Sequence, residues 1–286
     1  MPADDDIGLD EKRVYAGTRE ETLVYVAASS GLVRARVAGG QVGRFELAVR
    51  EPARDAAGRD GRLLVATDED ALVGTGEGFE PTGFGPAAAV GLAPDGGPDD
   101  GPRPLAAAPD GRVAALDGDE WVRLGTVEDP RALDGDLLAA GDGVYRVDVP
   151  GASVERLREG PATDVAAAGP CAACPDGLYD LSGGRLRAGE HTAVAADTAG
   201  RAHAVSEGEL FARENGDGAG DTDSWARCRL PTDEPVVDVA YGDAVYAVTA
   251  TGTLCVEVGA EGAPDGQGGW RSRALGVRDV VRLAVP

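Results

Sequence analysis

The feature of this sequence that most restricts its fold is a succession of short β-strand patterns, clearest between residues 235 and 286. Five runs follow one another there, at 236–242, 244–252, 253–259, 270–275 and 279–286. Each run alternates or is rich in β-branched residues, and Gly, Asp or Pro separates it from the next. This pattern is typical of antiparallel strands joined by tight turns.

The same layout recurs six more times toward the N-terminus. We anchor each unit on its second strand, and the second strands are predicted to begin near Glu21, Arg62, Arg103, Leu137, Cys171, Arg201 and Ala244. The anchors are 30 to 43 residues apart, and no helical segment separates them. Four strands in a unit of this length are typical of a β-propeller blade. The predicted fold is therefore all-β, a seven-bladed β-propeller with four-stranded antiparallel blades.

Small residues mark the predicted turns within these units. A glycine precedes a new apolar run at Gly31, Gly111, Gly143, Gly177 and Gly252. Glycine readily adopts the positive φ that a tight hairpin turn requires, so these positions indicate hairpins between second and third strands. A tryptophan is predicted to begin the fourth strand in three units, at Trp121, Trp225 and Trp270.

The first unit lacks a first strand of its own. The C-terminal run 280–285 can supply it and close the ring, which would leave no sheet edge between the first and last blades. Residues 13–17 are the competing candidate. We expect residues 1–20 to be a polar N-terminal leader and residues 21–286 to form a single β-propeller domain.

The charge of the chain restricts its partners and its location. It has 50 acidic and 27 basic residues, for a net charge of −23. Such a surface repels phosphate backbones and anionic lipids, so we expect neither nucleic acid nor membrane as a partner. No apolar run approaches the ~20 residues of a spanning helix, and the N-terminus is acidic, unlike a signal peptide. We expect a cytoplasmic monomer.

The repeat pattern, together with the acidic composition and its single lysine, Lys12, resembles a β-propeller family of halophilic archaea. The resemblance covers the whole chain and lies in the broad architecture of WD40, YVTN and BNR-like propellers. It implies a propeller fold with a solvated acidic shell suited to high salt. The Gly-His and Trp-Asp pairs of WD40 blades are absent. Residues 117–121 and 265–270 are similar to the Asp-box turns of sialidase-type propellers but lack the leading Ser.

Two segments invite a metal-site interpretation. Cys171-Ala-Ala-Cys174 has the spacing of half a zinc site, but residues three apart in a strand point to opposite faces. The acidic segment 215–223 resembles a calcium loop, yet Ala219 and Ala226 occupy the fifth and twelfth positions, where an EF-hand has oxygen ligands. We therefore expect no metal and no cofactor.

Four aspartates are candidate binding residues because they recur near the start of first strands. Asp55, Asp164 and Asp238 each end a Pro-x-x-Asp motif, and Asp279 keeps the aspartate without the proline. Carboxylates from several blades could ring the mouth of the channel and bind a ligand or act as a base. Alternatively, each could accept hydrogen bonds from nearby loop amides and fix the start of its blade.

Three arginines and one histidine complete the candidate site. Arg54, Arg131 and Arg278 flank the same loops and could clamp a carboxylate ligand, or pair with neighbouring aspartates. His191 lies between a fourth and a first strand, on the face where propellers usually bind their partners. It could serve as a general acid or base, or be a loop histidine without a catalytic role. His203 is expected to pack within a strand.

These observations leave two hypotheses for function. The first is a non-catalytic scaffold or a ligand- or protein-binding β-propeller, whose partner is an unidentified protein or a small anionic ligand. The alternative is a hydrolase or lyase that acts on a carboxylated sugar or similar small molecule at the central funnel. An open cavity with converging arginines and carboxylates would favour the enzyme. A cavity lined by Ala, Val and Gly would favour the binding protein.

Overall fold

A computed structural model of the protein describes residues 21–76, 78–94, 101–214, 224–259 and 269–286. Within these ranges the chain forms 28 strands in seven four-stranded sheets, and neighbouring strands in each sheet are antiparallel. The predicted leader 1–20, the competing closing segment 13–17 and the acidic segment 215–223 lie outside the described residues.

Each sheet is one blade, and the strands of a blade follow one another in sequence except in blade 1. Blade 1 consists of β28 (Val280–Ala284), β1 (Thr22–Ala28), β2 (Gly31–Ala38) and β3 (Gln41–Val49). Blade 2 consists of β4 (Ala53–Arg59), β5 (Arg62–Thr67), β6 (Ala71–Gly74) and β7 (Phe79–Pro81). Blade 3 consists of β8 (Ala89–Ala93), β9 (Arg103–Ala107), β10 (Arg112–Asp117) and β11 (Glu120–Thr126). Blade 4 consists of β12 (Pro130–Asp134), β13 (Leu137–Ala140), β14 (Gly143–Asp148) and β15 (Ser153–Glu159).

The remaining three blades repeat the same order. Blade 5 consists of β16 (Asp164–Ala166), β17 (Cys171–Cys174), β18 (Gly177–Asp180) and β19 (Gly184–Ala188). Blade 6 consists of β20 (Ala193–Ala196), β21 (Ala202–Ser206), β22 (Glu209–Glu214) and β23 (Ser224–Arg227). Blade 7 consists of β24 (Val236–Tyr241), β25 (Val245–Thr249), β26 (Thr253–Val258) and β27 (Gly269–Ala274).

The first strand of every blade faces the centre of the ring and contacts the first strands of the two neighbouring blades. We call these seven strands the inner strands. β28 is the inner strand of blade 1, where it pairs antiparallel with β1 from Tyr25↔Ala284 to Ala28↔Val280. The predicted seven-bladed propeller and its closure by the C-terminal strand are therefore confirmed. We call the face where the inner strands begin the top face, and the opposite face the bottom face.

The predicted second strands match the observed β1, β5, β9, β13, β17, β21 and β25 to within one residue at their starts. The three tryptophans lie at the second position of fourth strands, so these strands begin one residue before the predicted start. The glycine prediction holds only in part. Gly31, Gly111 and Gly252 have positive φ, and a side chain there would also clash with a backbone carbonyl at or just after the end of the fourth strand of the same blade. Gly143 and Gly177 do not have positive φ.

The hydrophobic core is divided among the blade interfaces. In the described part of the chain, buried apolar residues form seven clusters, one between each pair of neighbouring blades. Between blades 7 and 1, for example, Val24 and Val26 pack with Tyr246, Val248 and Leu283. A fully buried Val or Leu contributes about 1.5–3 kcal/mol. Because each blade buries its faces only against its neighbours, ring closure completes the core.

Arginines of outer strands also join neighbouring blades. The guanidinium of Arg158 in blade 4 lies 3.9 Å from the ring centroid of Tyr179 in blade 5. In the same way, Arg187 of blade 5 lies 3.9 Å from the centroid of Phe211 in blade 6. Such cation–π contacts add about 0.5–1 kcal/mol each at partly exposed positions. No helix long and apolar enough to cross a membrane occurs among the described residues.

Candidate functional site

One position in the inner strands brings charged side chains to the centre of the ring. The inner strands of blades 2 and 7 have a register shift at their start, and Asp55 and Asp238 immediately follow it. Asp164 begins the inner strand of blade 5. In blade 1 the same register shift is followed by Arg282 instead of an aspartate. The fold therefore places one arginine and three aspartates at equivalent positions around the channel.

These four side chains are bonded to one another, and we call them the channel cluster. Arg282 Nε donates to Asp55 Oδ1 at 2.9 Å, and Arg282 Nη1 donates to Asp164 Oδ1 at 2.8 Å. Arg282 Nη1 also lies 3.6 Å from Asp238 Oδ1. The Arg282 side chain is 18% exposed, and the three aspartate side chains are 4% exposed or less. One guanidinium thus bridges blades 1, 2, 5 and 7 across the channel.

The second oxygen of each carboxylate joins its blade to the next one. Each accepts a hydrogen bond from an inner-strand amide of the following blade: Asp55 from Val90 at 2.9 Å, Asp164 from Val194 at 2.8 Å and Asp238 from Leu283 at 2.7 Å. Asp134 in blade 4 similarly accepts from the amide of Ala167 at 2.7 Å. The aspartates thus accept backbone hydrogen bonds, as in the second sequence interpretation, but the donors are inner-strand amides of the following blade instead of nearby loop amides.

Burial dominates the electrostatics of the cluster. Burial raises the pKa of Asp55 to about 6, against the attraction of Arg282, and the nearby Asp164 raises it further. Burial also raises the pKa of Asp238 to about 7, again with Arg282 opposing and Asp164 adding to the rise. Burial lowers the pKa of Arg282, but the three carboxylates outweigh it and hold the pKa well above its ordinary value. The guanidinium is therefore always charged.

A cavity of about 210 Å³ extends from the channel cluster toward the bottom face. Its walls come mainly from inner strands and are mostly Ala, Val and Leu, at 56–58, 133–134, 164–166, 168, 194–196, 238–241 and 282–285. Its polar side chains are Asp134, Asp164, Asp238, Tyr241 and Arg282. The cavity thus combines small apolar walls with a charged floor whose arginine is bonded to carboxylates.

Asp279 and Arg278 are two of the predicted site residues that do not reach the channel. Asp279 precedes β28, has a positive φ of 52° and is exposed, and its carboxylate accepts from Ser29 Oγ at 3.2 Å. The prediction that Asp279 joins the other three aspartates is therefore wrong, because the strand register brings Arg282 to that position. Arg278 is also exposed, and its carbonyl accepts from Ser29 Oγ at 3.4 Å.

Arg54 and Arg131 lie at the top face, away from the channel cluster. Arg54 Nε and Nη2 each donate to a carboxylate oxygen of Asp68 at 2.7 Å. Arg131 Nε and Nη2 donate to Asp129 Oδ2 at 2.9 and 2.8 Å, and its Nη1 donates to the Ala162 carbonyl at 3.2 Å. Both arginines thus pair with aspartates, which was the second alternative from the sequence.

His191 is fully buried although it lies in a connection between strands. Its Nδ1 must donate to the Gly189 carbonyl at 2.8 Å, and its Nε2 must accept from Arg187 Nη1 at 3.0 Å. Burial lowers the pKa of His191, and the neighbouring Arg187 lowers it further. The side chain is therefore a neutral imidazole with both nitrogens bonded and no access to solvent, which removes the basis for an acid–base role.

His203 is packed within β21, as expected. Its Nδ1 lies 2.7 Å from the Tyr241 hydroxyl, and burial lowers its pKa to about 4. It is therefore neutral at neutral pH. Burial also raises the pKa of Tyr241.

The two cysteines of the Cys171-Ala-Ala-Cys174 segment pack on opposite faces of blade 5. Cys171 belongs to the cluster shared with blade 6, and Cys174 to the cluster shared with blade 4. Burial raises the pKa of the Cys174 thiol to about 11. All four cysteines lie in the described residues and none is in a disulfide. No group of three or more His, Cys, Asp or Glu side chains suited to a metal ion occurs in that part of the chain.

The ring of seven four-stranded sheets, with interblade carboxylates and a charged cluster in the channel, defines a seven-bladed β-propeller. The family described as Beta-prop_HVO_0234-like, beta propeller matches residues 8–286, and the chain belongs to this family. No curated protein sequence matches the chain.

Solved structures confirm the fold at low sequence identity. U3-55K has a TM-score of 0.61 at 14% identity, covering 93% of this chain and 92% of that one. The Pan2 WD40 domain of Neurospora crassa has a TM-score of 0.58 at 12% identity, covering 80% and 83%. The extracellular domain of BT4673 from B. thetaiotaomicron has a TM-score of 0.57 at 13% identity, covering 79% of this chain and 36% of that one. The chain thus spans about a third of the BT4673 domain.

Proposed function

We propose that this protein is a non-catalytic scaffold that binds a partner protein through its top face. The observation that carries the proposal is that the charged groups of the channel cluster are already bonded within the protein. Arg282 is bonded to carboxylates of three other blades, and the second oxygen of each of those carboxylates accepts a backbone amide. The charged groups at the centre therefore hold the ring together, and the rigid disc presents its connecting loops for binding.

An exposed valine marks the centre of the proposed binding surface. Val281 directly precedes Arg282 in β28 and is 45% exposed. In blade 2 the residue at the same register position is Arg54, whose partner Asp68 lies in a turn of the top face. Val281 therefore lies at the top mouth of the channel, at the position in blade 1 that the charged Arg54 occupies in the neighbouring blade 2. An apolar contact surrounded by polar groups is the usual arrangement at the core and rim of a protein interface.

Charge favours a protein partner with a basic surface over a small anionic ligand. The chain carries a net charge of −23, and Arg54, Arg131 and Arg282 each already face carboxylates. An anionic ligand would compete with these bonded aspartates. The same acidic surface disfavours nucleic acid and anionic membranes. The proposal includes a monomer that acts in the cytoplasm.

The alternative, a hydrolase or lyase for a carboxylated sugar, needs a guanidinium available to clamp the substrate. Arg282 is the arginine at the floor of the cavity, and its Nε and Nη1 are engaged by carboxylates. His191, the expected acid or base, is buried and bonded at both nitrogens. The geometry therefore favours the scaffold.

The test compares two valines of similar exposure. Val281 at the top mouth is 45% exposed, and Val122 on the outer strand β11 is 43% exposed. Each is changed to Gln, which adds no charge near the channel cluster. Tagged wild-type protein, V281Q and V122Q are used for affinity capture from extracts of the source cells at native salt, with circular dichroism to check folding.

Wild-type protein and V122Q are expected to capture the same partner, and V281Q to capture at least about tenfold less, as for truncation of an interface core residue. Equal capture by the two variants would place binding elsewhere on the disc. Failure of the wild-type protein to capture any protein specifically, across several salt concentrations, would contradict the scaffold proposal.

A further inference from the structure

The channel cluster contains more negative charge than its arginine can neutralise. Asp55, Asp164 and Asp238 face a single guanidinium, and all three aspartates are nearly fully buried. Burying an unpaired carboxylate is strongly unfavourable, and carboxylates that share one site resist ionising together. Asp238 has the weakest contact, at 3.6 Å from Arg282 Nη1. If all three aspartates ionise, two negative charges are left over in the channel.

The surrounding elements do not supply the missing positive charge. From blade 4, Asp134 adds a fourth carboxylate to the same cavity. From blade 2, Arg59 attracts Asp134, but Arg59 is partly exposed and also lies 3.8 Å from Asp60. Blades 3 and 6 carry alanine, Ala89 and Ala193, at the cluster position. Tyr241 is the remaining titratable group on the cavity wall. The excess of carboxylates therefore persists among the described residues.

We propose that the channel cluster is a proton-dependent clasp on the closing strand β28. At neutral pH it holds a proton shared among its carboxylates, and loss of that proton as the pH rises loosens β28 from blade 1.

The closing strand is the one strand that is not continuous in sequence with the rest of its blade. β28 follows blade 7 in the chain, and its pairing with β1 and its packing hold it in blade 1. Two of its residues contact the cluster directly, since Arg282 bridges the carboxylates and the Leu283 amide donates to Asp238. Release of β28 would expose the carboxylates to water. Opening therefore becomes easier once the excess carboxylates are ionised.

The direction of the pH effect follows from the folded-state pKa values. The pKa of Asp55 is raised to about 6 and that of Asp238 to about 7, mainly by burial. A raised pKa means that the closed state binds protons more tightly than the open or unfolded state. The stabilisation is fully present near pH 4 and is lost as the pH rises through about 6 to 7. Interacting carboxylates titrate as a unit.

Two buried histidines change the stability with pH in the opposite direction, so their effect must be separated from that of the channel cluster. The pKa of His203 is lowered to about 4 and that of His191 is lowered too, so both favour the folded state as the pH rises toward about 6.5. A comparison of wild-type protein with Asp238→Asn cancels their contribution. The asparagine side chain is uncharged and keeps an oxygen that can accept the Leu283 amide.

The experiment measures hydrogen exchange of the β28 and β1 amides from pH 5 to 9, corrected for intrinsic exchange rates. In the wild-type protein, protection relative to β9 amides is expected to fall by up to about tenfold per pH unit from pH 5 until about pH 6–7, and to level off above that. Blade 3 is the reference because it carries Ala89 at the cluster position. In D238N the fall is expected to be smaller, with greater protection than wild type at pH 8.

Asp279→Asn is the matched control, because Asp279 is exposed and lies just before the same strand. It should follow the wild-type profile. Wild-type protection that stays constant or increases with pH, or D238N protection below wild type at pH 8, would overturn the clasp. If D238N does not fold, Asp55→Asn is measured in its place, with the same expected reduction in pH dependence.

Discussion

The protein contains arginine–carboxylate pairs in two contrasting places, in the channel and on the top face. Arg54 and Asp68 on the top face have the better geometry, with two bonds of 2.7 Å, but their side chains are 52% and 55% exposed. Arg282 has longer contacts, yet it bridges three nearly buried carboxylates. Water screens the first pair and not the second, so burial and the number of partners decide which pair stabilises the ring.

Removal of Arg282 should give the largest loss of stability. Arg282→Ala leaves three buried carboxylates without their cation, and we expect the free energy of unfolding to fall by about 3–5 kcal/mol at pH 7 in chemical denaturation. The loss should be smaller at pH 5, where the carboxylates can take up protons. A loss below about 1 kcal/mol is typical of surface ion pairs, and it would show that burial does not determine how much the channel cluster stabilises the fold.

An intermediate effect is expected at an interblade contact outside the channel. Arg187 stacks on Phe211 and donates to the buried Nε2 of His191. Arg187→Ala should cost about 1–3 kcal/mol, mainly because a buried acceptor loses its donor. Arg185→Ala, at an exposed position of the same strand β19, is the control. Equal losses in the two variants would mean that the stacked and bonded arginine has no special role.

The smallest effect should come from the top-face pair, although its bonds are shorter than those of Arg282. Arg54→Ala breaks the exposed contact with Asp68, and we expect no measurable shift of the denaturation midpoint at moderate salt. A shift as large as that of Arg187→Ala would remove the contrast between the channel and the top face.

The fold and three of the four cluster residues could be predicted from the sequence. Gly and Pro between short apolar runs set the strand limits, and the Pro-x-x-Asp motif identified Asp55, Asp164 and Asp238 as equivalent. Proline marks the start of an inner strand, and the residue three positions later turns toward the channel cluster. The motif therefore reflects a local backbone geometry, and a local geometry of this kind can be recognised from a sequence pattern.

Arg282 and the burial of His191 could not be predicted in this way. Blade 1 lacks the proline, so Asp279 was the nearest match, although the register of β28 against β1 places Arg282 at the cluster position. The burial of His191 depends on residues distant in sequence: its amide donates to the Cys174 carbonyl and its carbonyl accepts from Thr163 Oγ1. An unexpected arginine in an otherwise apolar closing strand was the available signal for Arg282.

The closing strand has a consequence for the order in which the molecule folds. Blades 2 to 7 each form from strands that are neighbours in sequence, whereas blade 1 joins parts of the chain as far apart as Ser29 and Asp279, a separation of 250 positions. Contacts between such distant segments form slowly, because loop closure must precede them. Assembly of blade 1 is therefore expected to be the last and slowest step, and a kinetic phase that reports β1–β28 pairing should lag behind the formation of the other blades.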